Sequence, residues 1–116
     1  MERFEILNEL EVLDTKTDLV WRRDFVERVD WLRAQEYAAL LGDGWRLPTK
    51  KELQGLINKG RRNPASDFPD MPSWCFWTSL WYSGFANSAW SVNFVDGTVN
   101  HEDIKTSDYN ARCVCG

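Results

Sequence analysis

Between residues 30 and 41 the apolar side chains Trp31, Ala34, Tyr37, Ala38 and Leu41 recur at intervals of three and four, the period of one helix face. Asp30 stands where a helix cap belongs, and Gly42 where the helix must stop. A sharper device announces a second helix. Trp45 and Leu47 form a short extended run, and Pro48 bars Leu47 from the helical region. Thr49, with Glu52 three residues on, has the form of a capping box, in which hydroxyl and carboxylate each satisfy an orphan amide. The second helix is therefore expected from the Thr49 cap to about Asn58, with Leu53, Leu56 and Ile57 on its buried side and Gly60 as its end.

Elsewhere the pattern is that of strands. Residues 10–23 read as two short strands around the turn Asp14-Thr15-Lys16-Thr17-Asp18, since Asp and Thr bond the local backbone while Val12, Leu19, Val20 and Trp21 favour a pleated surface. Pro64, Pro69 and Pro72 make residues 60–74 a long irregular loop. After it, residues 75–81, 89–95, 98–103 and 109–115 are rich in strand formers and divided by turn residues. Asp96-Gly97 reads as a two-residue hairpin turn with Gly supplying the positive φ. That turn sets Val95 opposite Thr98, Phe94 opposite Val99, Asn93 opposite Asn100, Val92 opposite His101 and Ser91 opposite Glu102. Trp90, Val92, Phe94 and Val99 then face a core, and Ser91, Asn93, Thr98, Asn100 and Glu102 make an outward polar face. Trp45, Trp77 and Trp90 are expected to be buried, because their neighbours alternate as core positions.

With 116 residues the chain forms about one domain, 1–116, and a chain of this size buries roughly 65% of its unfolded surface, enough for a core without metal or disulfide. No internal repeat, low-complexity tract or linker divides it. Aromatics are 14% of residues with seven tryptophans, a globular composition in which those rings must pack or bind. Residues 1–5 lack the basic segment of a secretory signal, and no run approaches the roughly 20 apolar residues of a membrane span. The expected location is cytoplasmic as written, or exported or surface-borne if a signal has been removed. Three cysteines, Cys75, Cys113 and Cys115, leave at least one unpaired within the chain, and reduced structural thiols are the expectation.

The net charge of −4 is unevenly spread: residues 1–45 hold 6 basic and 11 acidic groups, 46–62 hold 6 and 1, and 63–116 hold 2 and 6. Only the middle block, with Arg46, Lys50, Lys51, Lys59, Arg61 and Arg62, offers a local site for an anion. The acidic total opposes nucleic-acid binding, and no glycine loop is built to cradle phosphate. Nucleophilic catalysis needs a base beside a thiol or hydroxyl, yet the single histidine, His101, falls on the inward register of its strand. Cys113 and Cys115 lie two apart, unlike the Cys-x-x-Cys knuckle of a zinc site, so no metal is expected there. Asp96, Asn100, Glu102, Asp103 and Asp108 supply oxygens for calcium, but turn chemistry accounts for Asp96 and Asp108, and neither a Glu-Pro-Asn-like nor a Trp-Asn-Asp triplet is present.

These segments, in this order, resemble the Lcl C-terminal domain family, bacterial domains of unknown function typified by the C-terminal domain of the Legionella collagen-like adhesin. Asp14-Thr15-Lys16-Thr17-Asp18-Leu19-Val20-Trp21 resembles the family's early Asp-x-x-Thr-Gly-Leu-x-Trp hairpin, and Trp45-Arg46-Leu47-Pro48-Thr49 with Glu52-Leu53 its strand-to-helix junction. Phe76-Trp77-Thr78-Ser79 is similar to its aromatic-Trp-Ser-Ser motif, Ala89-Trp90-x-Val92-x-Phe94 with Asp96-Gly97 to its central hairpin, and Arg112-Cys113-Val114 to its closing strand. Asp18 replaces the usual Gly, Cys115 takes a position often held by Arg, and Cys75 precedes the tryptophan motif. The resemblance implies an α+β, C-type-lectin-like fold, two helices flanking a small twisted antiparallel sheet with the termini brought together. It also implies a binding module of the kind found on adhesins and cell-surface proteins, or diversified by retroelements, with no shared catalytic residue. The sulfatase-activating oxidases share the broader fold and rely on paired cysteines, but their flanking motif is missing here.

The leading expectation is a noncatalytic module that binds a protein or glycan without a cofactor. Its reading surface is expected at the loop aromatics Trp81, Tyr82 and Phe85 with Asn87, beside the polar row Ser91, Asn93, Asn100, Glu102 and Asn110. Two alternatives accompany it: a binder of sulfated or anionic glycans through the 46–62 block, consistent with the glycosaminoglycan binding the resemblance implies, and a small enzyme of unrecognised type.

Overall fold

The computed structural model describes residues 2–84 and 87–116. In chain order the elements are β1 (Phe4–Ile6), β2 (Glu11–Asp14), β3 (Leu19–Arg22), β4 (Val26–Val29), α1 (Trp31–Leu41), α2 (Lys50–Gln54), β5 (Cys75–Trp81), β6 (Ser88–Asn93), β7 (Thr98–Asp103), β8 (Tyr109–Ala111) and β9 (Val114–Cys115). The class is α+β, but the single antiparallel sheet expected from the sequence is two. One has the order β1-β2-β3-β9; the other, β4-β8-β5-β6-β7, is mixed because β5 and β8 run parallel. The strand expected over 109–115 is split by Arg112, whose guanidinium donates to the carbonyls of Arg22 and Arg23 at 2.6 Å each. Those bonds turn the chain out of the second sheet and into the first.

The first hairpin forms as expected, and Asp18 itself adopts the left-handed φ of 63° that the turn demands. Asp tolerates that region better than most residues, so glycine is not required. α1 runs from its Asp30 cap to Gly42, while α2 is shorter than expected. Its capping box is intact, but Gly55 caps it, and Leu56 and Ile57 reach the core through tight turns bonded to Leu53 and Gln54.

The β6–β7 register is displaced by two residues from the expected one: Asn93 opposes Thr98, Val92 opposes Val99 and Ser91 opposes Asn100. Four residues, 94–97, make the turn because Phe94 and Val95 bond the long loop instead of β7: Phe94 N–H donates to Trp74, and the Phe94 and Val95 carbonyls accept from Ala65 and Asn63. An even displacement leaves every side chain on its expected side of the sheet.

Two apolar clusters flank the second sheet. Phe76, Val92 and Phe94 pack on one side with Trp21, Leu53, Leu56 and Phe68; Trp77, Ala89 and Ala111 pack on the other with Trp31, Ala34 and Leu47. Of the three tryptophans expected to be buried, only Trp77 is fully enclosed. Trp45 and Trp90 remain partly exposed, covered by Arg22 at 5.2 Å and by the Lys50 ammonium at 3.6 Å. Among the described residues no helix is long and apolar enough to cross a membrane.

Candidate functional site

The strands β5, β6 and β7 present two chemically different faces. On one, Phe76, Val92 and Phe94 close against the first cluster. On the other, the pairings Asn93–Thr98, Ser91–Asn100 and Ala89–Glu102 line up polar groups at the β7 side of the sheet. Thr98 and Asn100 are exposed, and Asn93 and Glu102 half-buried. Two members of the expected row do not face outward. Ser91 is only 2% exposed and its hydroxyl donates to the Asn100 carbonyl at 3.4 Å. Asn110, 4% exposed, pairs with Phe76 and so shares its inward side, where its Oδ1 accepts from the Arg28 amide at 3.2 Å.

The loop aromatics are divided between the faces. Trp81 opposes Ala89, lies on the polar-row side and is 43% exposed, with its ring 5.6 Å from that of Trp31. Tyr82 turns to the opposite side and stacks on His101 at 3.8 Å, with Trp90 edge-on at 5.2 Å. Asn87 is exposed with a φ of 64°, and its carbonyl accepts from Ile104 N–H at 2.8 Å. Phe85 lies outside the described residues.

Two aromatic residues that the sequence did not single out stand beside the row. Trp74 is 39% exposed, and Tyr109 meets it at 6.0 Å with the rings near perpendicular at 81°. Tyr109 also packs 5.0 Å from Trp77, and the Cys75 and Glu102 side chains lie near its hydroxyl. Burial, then the neighbouring Cys75 and Glu102, push that hydroxyl far above its ordinary range, and burial lifts the Cys75 thiol to about 11. Both stay protonated at neutral pH, suited to hydrogen bonding and not to nucleophilic attack. Trp74 sits in the proline-rich loop just before β5, where no alternation assigns it a side, and Tyr109 opens the strand expected over 109–115, where only the fold brings it to Trp74.

A match to the Lcl C-terminal domain family spans residues 10–115. The chain belongs to that family. No curated protein matches it. The matched span contains both helices, every strand but β1 and every residue of the polar face, so this face lies within the unit that defines an Lcl C-terminal domain.

In this Lcl C-terminal domain the 46–62 basic block is dispersed. Arg46 grips Glu52 with two bonds of 2.7 and 2.8 Å and also donates to the Gly116 carbonyl at 3.1 Å. The Arg46 hydrogen bond holds the Glu52 carboxyl below its usual range. Arg61 pairs with Asp67 at 2.8 Å and Lys50 lies over Trp90, leaving Lys51, Lys59 and Arg62 exposed. A cleft of about 500 Å³ walled by Gln35, Ala38, Trp45, Leu47 and Ser79 opens beside Arg46, its one charged wall residue. Cys113 is buried and its thiol is pushed up to about 11 by burial. Among the described residues no three His, Cys, Asp or Glu side chains gather as metal ligands would.

Proposed function

We propose that this Lcl C-terminal domain is a noncatalytic recognition module on a C-type-lectin-like scaffold, which presents the outward face of β5–β7 to a protein or glycan. One observation carries the reading: the same strands that seal a core with Phe76, Val92 and Phe94 hold Asn93, Asn100, Glu102 and Trp81 at the surface of the other face, with Trp74 beside them just before β5. Amides there supply adaptable hydrogen bonds, and the indoles supply apolar contact at low entropy cost. The scaffold supports them from behind, with β3 and β9 joining the early and late parts of the chain in one sheet.

The test starts with a partner recovered from protein and glycan arrays. Asn93→Ala with Asn100→Ala should weaken that partner's binding by at least roughly tenfold, as expected when central interface contacts are truncated. The melting temperature should fall only slightly, since both side chains lie outside the core and the one bond lost in the turn is that from Val95 N–H to Asn93 Oδ1 at 2.9 Å. Tyr82→Ala, on the opposite side of the sheet, should leave affinity unchanged. Full affinity in a folded Asn93/Asn100 variant would overturn the assignment of this face, and binding that instead required Lys51, Lys59 and Arg62 would favour an anionic glycan.

A further inference from the structure

Six carboxylates have an arginine partner: Asp14 with Arg3, Asp24 with Arg22, Asp70 with Arg23, Glu36 with Arg33, Glu52 with Arg46 and Asp67 with Arg61. Four further carboxylates cluster around β7. Among the described residues, Asp96, Glu102, Asp103 and Asp108 take part in no ion pair. Asp96 and Asp103 are occupied with turn amides, those of Thr98 and of Lys105 and Thr106. Glu102 differs, since it pairs across the sheet with Ala89 on the polar-row side and lies near Tyr109, whose ring meets the half-exposed Trp74 at 6.0 Å and 81°. The guanidinium of Arg28 lies 6.0 Å from the centre of the Trp74 ring, so the chain already sets one of its own cations against this indole.

We infer, building on the reading of this face as the binding face, that Trp74, Tyr109 and Glu102 form a subsite for an arginine or lysine side chain of an extended basic protein segment. The two rings present electron-rich faces to a cation, and the carboxylate supplies full charge at one end. The acidic surroundings of β7 attract such a segment at longer range. Arg28 is then the intramolecular competitor that an incoming side chain displaces from Trp74.

Two probes test this on the full chain: acetyl-Ser-Arg-Tyr-Arg-Ser amide, and the same peptide with citrulline, neutral and nearly isosteric, in place of each arginine. The Trp74 indole N–H resonance follows the titration. The arginine peptide should half-saturate at a roughly tenfold lower concentration than the citrulline peptide, the scale of a partly desolvated cation–π contact backed by a carboxylate. Trp74→Leu and Glu102→Gln should each remove that preference, followed in Trp74→Leu by the Trp77 indole. Asp103→Asn, with the same charge change as Glu102→Gln, should preserve it. Arg28→Asn, which keeps a left-handed backbone accessible, should tighten the arginine peptide, an effect that a merely structural role for Arg28 does not produce.

Equal binding of the two peptides, or equal losses in Asp103→Asn and Glu102→Gln, would overturn the subsite. If the subsite fails while an array-derived partner still depends on Asn93 and Asn100, the face stands and its ligand is not cationic. If that partner ignores Asn93 and Asn100 as well, the face assignment itself falls.

Discussion

At the scale of single residues, alternation tells which side of a sheet a side chain takes but not how deeply it is covered. Trp77, Trp45 and Trp90 all lie toward core, yet only Trp77 is enclosed, with its indole N–H donating to the Val29 carbonyl at 2.8 Å. Trp77→Ala should therefore cost about 3–5 kcal/mol in chemical denaturation. Trp45→Ala should cost less, roughly 1–2 kcal/mol, because a partly wet ring loses less transfer energy and leaves no sealed cavity. Equal losses would show that exposure is a poor guide to the energetics of these rings. Trp21 and Trp31 are also buried, though nothing in their local sequence ranks them above Trp45. The Arg46–Glu52 pair adds a pH dependence. Glu52 is held below its usual range first by the Arg46 hydrogen bond, so the stability it contributes is present above the ordinary carboxylate range. That contribution is lost as pH falls through the lowered folded value. Glu52→Gln should flatten the decline of stability below about pH 4.5, measured by thermal melts across a pH series.

Elements were legible where a local device defines them. α1 carries its own cap, period and stop, and the Thr49–Glu52 box starts α2 where the sequence places it. Thr49→Ala should cost about 1 kcal/mol, read from the denaturation midpoint, since α2 is too short to hold its first turn by propensity. What local devices do not reveal is competition from distant backbone. The Asp96-Gly97 signal finds the hairpin, but bonds from residues 94 and 95 to the long loop shift the register, and only the fold brings that loop there. β4 is hidden because Arg28, with a φ of 52°, breaks its alternation, and β1 because three residues carry too little pattern. Gly97 has a φ of 82°, and an added Cβ would lie 2.9 Å from Ile57 Cγ2. Gly97→Ala should thus destabilise by about 1–2 kcal/mol from backbone conformation alone, and by more with the clash. A neutral outcome in equilibrium unfolding would mean that the turn relaxes away from Ile57.

On the scale of the whole molecule, the two sheets are joined at Arg112, and this is where sequence reasoning is weakest, because an arginine in a closing strand is ordinarily a surface residue. Here it is 1% exposed, with its guanidinium 4.6 Å from the Phe68 ring, 5.0 Å from Phe25 and 5.6 Å from Phe76. Burial lowers its pKa to about 10, which still leaves the charge in place at neutral pH. The three rings come from the long loop, the β3–β4 connection and the second sheet, while the two carbonyls it binds belong to the last residue of β3, in the first sheet, and the residue after it. Removing the guanidinium would strand those carbonyls and open a cavity among the rings, so Arg112→Ala should cost about 3–5 kcal/mol. Arg112→Lys should recover only part of that loss: both carbonyl bonds come from one nitrogen, Nη1, which an ammonium can imitate, but an ammonium lacks the flat, weakly hydrated guanidinium plane that lies among the three rings. Hydrogen exchange distinguishes a joint from ordinary core packing. In Arg112→Lys the amides of β2, β3 and β9 should lose protection before those of β5 and β6, because the first sheet is the smaller body and depends on this contact to share the core. A uniform loss across both sheets would assign Arg112 to general packing and return the joint to the aromatic cluster around Phe68.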